Sequence, residues 1–227
     1  MDKIYSQTGS AARSQDVSKL LRNTYALLSL TLVVSAIAAG ISMALNIGSG
    51  LALIMNLVAI GLIWFVLPKT ANSSAGIGVV FAFTALLGAG LGPMLSHYLA
   101  LPNGSMIVMQ ALGGTALVFF TLSGYVLTTG KDFSFMGGFL MTGLIVVVVG
   151  SLGLMVAGMF GVNISGMSLA ISAAVVLLMS GFILYDTSRI VNGGETNYLM
   201  ATVALYLDIL NLFTSLLHLI GAFSKDD

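Results

Sequence analysis

The chain has 227 residues, of which 58% are apolar and only 7% are charged, and its mean hydropathy is +1.06. Soluble domains carry about 25% charged residues, so this composition excludes an ordinary soluble domain and predicts an integral membrane protein. The formal net charge is zero and the basic residues are scattered, which argues against nucleic-acid binding. Because the chain contains no cysteine, disulfides and cysteine-ligated metals are excluded. No cofactor is predicted.

Charged residues divide the sequence into long apolar segments, because a charge at the bilayer centre costs about 2.5–3.5 kcal/mol on insertion scales. These segments, and the turns that interrupt them, predict an all-α bundle of seven transmembrane helices. A break is expected around Pro93 to Pro102 and Asn103-Gly104, between the third and fourth spans. The predicted spans are 24–45, 51–67, 76–96, 106–128, 135–160, 166–190 and 198–221.

The predicted organisation is one membrane domain, residues 23–222, between an N-terminal tail, 1–22, and a short outer tail, 223–227. The first apolar run is too long for a cleavable signal core, so we expect the tail to remain. Basic residues stay on the cytoplasmic side of a membrane, and Lys225 is the one that falls on the far side. The others fall on the side of the N-terminus: Lys3, Arg13, Lys19, Arg22, Lys69, Lys131 and Arg189. The N-terminus is therefore predicted to be cytoplasmic and the C-terminus outside.

Small residues spaced four apart predict close helix contacts. Gly88 and Gly92 form one such pair, and two longer repeats are centred on Gly40 and on Ala170, the latter beginning at Gly166. Internal packing is favoured over a dimerisation face, because the chain has 27 glycines and such matches are common.

Two acidic residues fall inside predicted spans, Asp186 near the inner end of the sixth and Asp208 in the seventh. A short turn, 192–197, joins these spans, so they are antiparallel neighbours. At about 1.5 Å per residue, both aspartates lie roughly 12–20 Å from the turn and can meet. Lipid offers a carboxyl group no hydrogen bond, so Asp208 should face the bundle interior or a water-filled cavity.

Two carboxyl groups that share a buried site titrate as a coupled pair, because both cannot ionise cheaply in a low dielectric. Such a pair can act as an ion- or proton-sensing dyad. High-affinity Ca²⁺ sites take about six to eight oxygen ligands. Asp186 and Asp208 alone therefore predict transient passage of Ca²⁺, with no firm metal site.

Structural alternatives stay open for each of these residues. Asp186 can extend to the cytoplasmic interface or pair with Arg189 three residues on. Arg189 is then either a partner of the dyad or a topology anchor. Asp208 can be purely structural. His97 and His218 are predicted near outer helix ends, where an interfacial position is favoured over a ligand or switch role.

Enzyme functions are set aside on their motifs. Tyr185-Asp186 with a later aspartate resembles the intramembrane aspartyl proteases, but Leu205-Tyr206-Leu207-Asp208 lacks the glycines of their Gly-x-Gly-Asp site. This protease is the least favoured alternative. The sequence lacks the Gly-x-Ser-Gly motif of a rhomboid-like serine protease, so no enzyme activity is predicted. A retinal protein is set aside as well, because the seventh span has no lysine for the Schiff base.

Seven short-looped spans and a basic polar N-terminal segment resemble the Bax inhibitor family, as do two motifs. These are Tyr185-Asp186-Thr187 and, most specific, Leu207-Asp208-Ile209-Leu210-Asn211-Leu212-Phe213. The resemblance covers nearly the whole chain. It implies a fold in which the seventh helix is central and surrounded by the other six. It also implies that Asp186 and Asp208 form a dyad near the cytoplasmic side.

The resemblance implies two functions of different classes. Bacterial members that modulate the membrane protease FtsH suggest a non-enzymatic protein that binds and modulates the FtsH complex in the bacterial inner membrane, with a periplasmic C-terminus. Members studied as pH-dependent calcium leaks suggest instead a leak gated by Asp186 and Asp208, with protons or Ca²⁺ as partners besides the lipid bilayer. Leak-type members carry charged residues in the second helix, whereas the second predicted span here, 51–67, carries none.

Overall fold

The computed structural model describes residues 2–224 of the chain, with side chains from residue 15 onward. Within these residues the regular structure is helical throughout and contains no strand. A π-helical turn, Leu62–Val66, joins α2 to α3, and a 3₁₀ turn, Ser134–Met136, precedes α6. The α-helices are α1 (Asp2–Ala44), α2 (Ser49–Gly61), α3 (Leu67–Thr70), α4 (Ala75–Leu99), α5 (Gly104–Thr129), α6 (Gly137–Met159), α7 (Ser165–Val191) and α8 (Tyr198–Phe223).

Seven helical segments of the described chain are long and apolar enough to cross a membrane. They are Gln15–Ala44, Ser49–Thr70, Ala75–Leu99, Gly104–Thr129, Ser134–Met159, Ser165–Val191 and Tyr198–Phe223. This confirms the predicted all-α fold with seven transmembrane helices. The seventh span, α8, is the most buried, since 50% of its most apolar stretch lies inside the protein, against 33% or less in the others.

The structure differs from the predicted boundaries in three places. The backbone of residues 2–22 continues α1, so the predicted tail is part of the first helix. The second span contains the π-helical turn, and α4 ends at Leu99, three residues past the predicted end of the third span. The turn at 100–103 lies within the predicted break between the third and fourth spans. Lys225 and most of the predicted outer tail lie outside the described residues. The side of the membrane that each end occupies stays a prediction.

Contacts divide the chain into two compact units. Unit 1 combines Met1–Leu95 with Arg189–Tyr206, and unit 2 combines Ser96–Ser188 with Leu207–Asp227. Helices α7 and α8 therefore contribute residues to both units. Asp186 and Asp208 both belong to unit 2, so the candidate site lies within a single unit.

In unit 1, glycines of α4 allow close contact with α1. A Cβ atom added to Gly88 would clash with the backbone of Ser35, and one added to Gly92 would clash with the hydroxyl group of Ser42. This confirms the prediction that Gly88 and Gly92 serve contacts inside the bundle.

The other small-residue repeats do not pack in this way at their glycines. Nothing lies within 4 Å of a Cβ atom added to Gly40 or to Gly166. The prediction of close helix contact is therefore wrong at these two positions, because their faces are open in the described chain.

A hydroxyl group from α1 explains why α4 continues past Pro93. Proline has no N–H, so the carbonyl group of Ala89, four residues earlier, loses its helical donor. Ser42 Oγ donates a hydrogen bond of 2.7 Å to Ala89 O. The side chain from the neighbouring helix thus replaces the bond that the proline removes.

In unit 2, α6 packs along α7 through glycines on both helices. A Cβ atom added to Gly137 would lie 3.0 Å from the Tyr185 ring. In the other direction, a Cβ atom on Gly181 would lie 2.6 Å from Leu140. These contacts fix α7 at the residue that precedes Asp186.

Candidate functional site: a buried aspartate pair

A well-bonded turn sets where α7 ends and α8 begins. The N–H groups of Gly194 and Glu195 both donate to Arg189 O, at 2.7 and 3.0 Å. Gly193 has a φ of +79°, in the left-handed region that glycine tolerates at helix ends. Asn197 Oδ1 then caps α8 by accepting the N–H two residues on, at 2.8 Å. The turn therefore holds the two helices side by side and antiparallel.

The two predicted site residues meet inside unit 2. Asp186 and Asp208 are 9% and 5% exposed, respectively, and their side chains share a hydrogen bond. Ionised carboxylates only accept hydrogen bonds, so this bond needs one of the two groups to be protonated. Asp208 Oδ2 is buried and has no hydrogen-bond partner among the described residues. The pair therefore combines a shared proton with an unsatisfied buried acceptor.

The two residues after Asp186 attach α7 to other segments of unit 2. Thr187 Oγ1 donates to Ser123 Oγ on α5 at 3.3 Å. The N–H of Phe133, in the α5–α6 loop, donates to Ser188 Oγ at 3.0 Å. Both Thr187 and Ser188 are fully buried. Three consecutive buried polar residues thus place the pair on a fixed part of α7.

Sequence reasoning missed the roles of Ser123 and Ser188. Their partners lie 64 and 55 positions away along the chain, so spacing gives no sign of the contacts. A usable signal was the run Asp186-Thr187-Ser188, because three polar residues in a row near a span end are costly unless neighbouring segments satisfy them.

The α5–α6 loop next to this site is itself ordered by polar contacts. Lys131 Nζ donates to Tyr125 OH at 2.6 Å and lies 5.3 Å from the centre of the same ring. Asp132 Oδ1 accepts the N–H of Ser134 at 2.8 Å. This hydrogen bond holds the pKa of the Asp132 carboxyl group below its ordinary value. The loop therefore meets Ser188 in a defined conformation.

Arg189 pairs with the turn. Its Nη2 atom lies 3.5 Å from Glu195 Oε2 and donates to Gly194 O at 3.3 Å. All three residues belong to unit 1. The role of Arg189 as a partner of the aspartate pair stays a prediction.

The two histidines lie at the end of the spans opposite the α7–α8 turn. His97 is exposed near the end of α4, with its ring 5.5 Å from that of Tyr98. His218 Nδ1 lies 2.7 Å from Ser172 Oγ, which joins α8 to α7. His218 is thus half-buried and hydrogen-bonded to a neighbouring helix, whereas a side chain at the membrane interface needs neither burial nor a protein partner.

Metal-binding capacity at the aspartate pair is small. Across residues 15–224, no group of three or more histidine, aspartate or glutamate side chains could hold a metal ion. A cation at Asp186 and Asp208 would have two carboxyl groups, whereas Ca²⁺ takes about six to eight oxygens. We therefore assign no metal ligand.

These features define a class of protein: an all-helical, multi-pass membrane protein whose last two helices share a buried carboxyl pair. The sequence profile of the family described as "Inhibitor of apoptosis-promoting Bax1" matches residues 17–225. The chain belongs to this family, the Bax inhibitor family.

Several curated proteins are similar over their whole length. An uncharacterized membrane protein of Vibrio cholerae serotype O1 is 51% identical over 224 residues, which cover 99% of this chain and 98% of that protein. The modulator of FtsH protease YccA of Escherichia coli strain K12 is 50% identical over 226 residues, 100% of both chains. A relative in Escherichia coli strain CFT073, equally similar, is described as inner membrane protein YccA. These descriptions support an inner-membrane protein, and they name a modulator, not an enzyme.

Proposed function

We propose that this chain binds the FtsH protease complex in the inner membrane and modulates its activity. The observation that carries the proposal is the 50% identity to the modulator of FtsH protease YccA, which extends over 100% of both chains. Identity over every span and turn makes a shared partner the simplest expectation, although fold alone would not establish function.

The first helix supports a way for the chain to engage a protease. Helix α1 begins at Asp2, whereas its membrane-crossing part begins at Gln15. At about 1.5 Å per residue, the preceding segment adds roughly 20 Å of helix beyond the span. On the predicted orientation this segment lies in the cytoplasm, where it would give a protease a handle on a seven-span protein that is slow to extract. Occupation of the protease in this way would spare its other substrates.

The test uses FtsH and the full-length chain reconstituted together in proteoliposomes. We expect the wild-type chain to co-purify with FtsH and to slow degradation of a second membrane substrate. Deletion of residues 2–14 should abolish both effects, because it removes the handle and leaves all seven spans. Asp208→Asn, which leaves the handle intact, serves as the control and should behave like the wild type. Absence of both co-purification and any change in degradation rate with the wild-type chain would disprove the proposal.

A second function, a pH-gated cation leak, is supported by one specific observation. The carboxyl groups of Asp186 and Asp208 share a hydrogen bond away from lipid, and Asp208 Oδ2 has no partner among the described residues. Loss of the shared proton would place two negative charges side by side in a low dielectric, which loosens the α7–α8 contact or attracts a cation. The pair thus has the chemistry of a proton-controlled gate.

Calcium flux into proteoliposomes tests the leak. We expect flux to differ between about pH 6 and about pH 8, a range in which buried carboxyl groups can titrate. Asp208→Asn should abolish this difference, because it removes the shared titration. Asp132→Asn makes the same chemical change at an exposed carboxyl group and should leave the difference intact. Flux that is equal at both pH values in the wild type would rule out the leak and leave the FtsH proposal untouched.

A further inference from the structure

Beyond Asp208, α8 carries polar side chains on three successive turns, as far as His218. We call this set the polar track: Asn211, Thr214, Ser215 and His218. At 3.6 residues per turn, the four members and Asp208 fall within an arc of about 120° on one side of the helix. Neighbouring members three or four residues apart lie about 5–6 Å from each other, a distance that one water molecule can bridge. The track covers about 15 Å along the axis of α8 from Asp208 to His218.

Asn211 is exposed although it lies near the middle of the most buried span. Its neighbours Asp208 and Leu212 are 5% and 0% exposed, whereas Leu207 and Thr214, one turn before and after Asn211, are half-buried. Asn211 Nδ2 donates to Leu207 O of the same helix at 2.8 Å. The amide oxygen of Asn211 makes no hydrogen bond to any described residue.

Water is a better neighbour for this face than lipid. Hydrocarbon cannot satisfy an exposed amide oxygen, and an unsatisfied group of this kind costs free energy in the bilayer core. At similar depth on the neighbouring helix α7, the exposed side chain of Leu177, which is 76% exposed, is apolar. Leu177 and Asn211 are the same number of residues away from the helix ends that lie opposite the α7–α8 turn. The two side chains are therefore at similar depth. The difference between the two faces is therefore one of chemistry and not of position.

Among the described residues, the far end of the track is polar and carries no lysine, arginine or acidic side chain. At the end of the track furthest from Asp208, His218 Nδ1 lies 2.7 Å from Ser172 Oγ. One turn further on, Tyr98 packs against Gly221. Within residues 15–224, the titratable side chains at this end are His97, Tyr98 and His218. At the other end of the track, the titratable group that faces Asp208 is Asp186 on α7. Within residues 15–224, no lysine, arginine or further acidic side chain therefore lies along this face between Asp208 and the end of α8.

We propose that the polar track is a water-filled access path that connects Asp208 with the solution at the end of α8 opposite the α7–α8 turn. Protons then reach the aspartate pair from that side of the membrane, which the charge distribution predicts to be the periplasm. The consequence for gating rests on the proposed leak. The path itself does not, since water can enter whether or not the pair conducts ions.

Cysteine labelling tests the path, because the native chain contains no cysteine. We would prepare three single-cysteine variants of the full chain in right-side-out membrane vesicles. Asn211→Cys lies on the track, Leu177→Cys lies on the exposed apolar face at similar depth, and Leu212→Cys is fully buried next to Asn211. Each is treated from outside with a charged, membrane-impermeant methanethiosulfonate and, separately, with Ag⁺. Thiols that remain are counted by mass-tagged maleimide after denaturation.

The expected result is that Cys at 211 reacts about tenfold or more faster than Cys at 177 or 212, because these reagents need a hydrated thiolate. Reaction at 211 with Ag⁺ alone also supports the path and shows that it is narrower than the larger reagent. Protection of Cys at 211 from both reagents, or equal reaction at 211 and 177, would overturn the proposal. Neither outcome depends on calcium flux or on FtsH, so failure here is distinct from failure of either proposed function.

Discussion

Tyr206 and Ser35, which are 171 positions apart in the sequence, share a hydrogen bond of 2.7 Å between their hydroxyl groups in the interior of unit 1. Tyr206 is fully buried, its ring packs edge-on against Phe83, and its hydroxyl group also lies 3.4 Å from Thr84 O. Tyr206 stands two residues before Asp208 and therefore points about 200° away from it around the helix. The contacts of Tyr206 therefore fix the first half of α8 within unit 1.

Tyr206→Phe should lower the free energy of unfolding by about 0.5–1.5 kcal/mol, because it removes this buried hydrogen bond and leaves the ring contacts intact. The measurement is reversible unfolding of the purified protein in mixed micelles. Tyr198→Phe, at the half-buried start of the same helix, is the control and should change stability little. Equal effects of the two substitutions would show that the Tyr206 hydroxyl group adds nothing specific.

Ser42→Ala should destabilise α4 at its proline. The substitution leaves Ala89 O without the hydroxyl donor that replaces the missing N–H of Pro93. We expect a loss of about 1–2 kcal/mol, towards the upper end of what one hydrogen bond contributes between membrane helices. Ser29→Ala removes a hydroxyl group that is bonded only within its own helix and is the matched control. Faster hydrogen exchange of α4 amides in the Ser42 variant alone would locate the effect.

The aspartate pair should behave as one unit in a double-mutant cycle. Asp208→Leu leaves its partner's carboxyl group without the bond between them, so it should cost about 1–3 kcal/mol. Because Asp186→Leu removes the same bond, the double variant should cost less than the sum, with a coupling of about 0.5–3 kcal/mol. Unfolding of the four proteins at one pH gives the coupling. Additive losses would mean that the two carboxyl groups do not interact.

The α5–α6 loop should lose local order in acid. The hydrogen bond from Ser134 holds the pKa of Asp132 below its ordinary value, so the ionised form is favoured in the folded protein. Its stabilising effect is therefore present above the ordinary pKa and is lost in acid, as the pH falls through the lowered pKa. Exchange of the Ser134 amide should accelerate over the same fall in pH. Asp132→Asn keeps the acceptor oxygen but has no charge, so its exchange, corrected for intrinsic pH dependence, should show no such step.

Individual residues show which parts of the fold the sequence could predict. The spans followed from hydropathy to within a few residues. No local pattern shows how α4 stays helical through Pro93, because the compensating donor Ser42 comes from another helix. Gly88 and Gly92 were correctly predicted to make internal contacts, but the same spacing failed at Gly40 and Gly166. The spacing shows that one face of a helix carries small residues. Only the fold shows whether another helix packs against that face.

The same distinction applies to the candidate site. Asp186 and Asp208 stood out because acids are rare inside spans, and the short turn between their helices indicated that they meet. Their supports at Ser123 and Phe133, and the bond between Ser172 and His218, join residues 46 to 64 positions apart. No local pattern encodes such distances.

Sequence by itself determined that this chain resides in a membrane, how many times it crosses, and that two acids, Asp186 and Asp208, lie inside its spans. Each of these depends on the cost of placing individual side chains in lipid, and that cost is additive along the chain. The tertiary structure alone decided which distant side chain bonds to three buried polar groups. Ser42 bonds to Ala89 O, Ser35 to the Tyr206 hydroxyl group, and Asp186 to one carboxyl oxygen of Asp208. A hydrogen bond needs two partners at close range, and which distant partners come within range is set only when the helices pack.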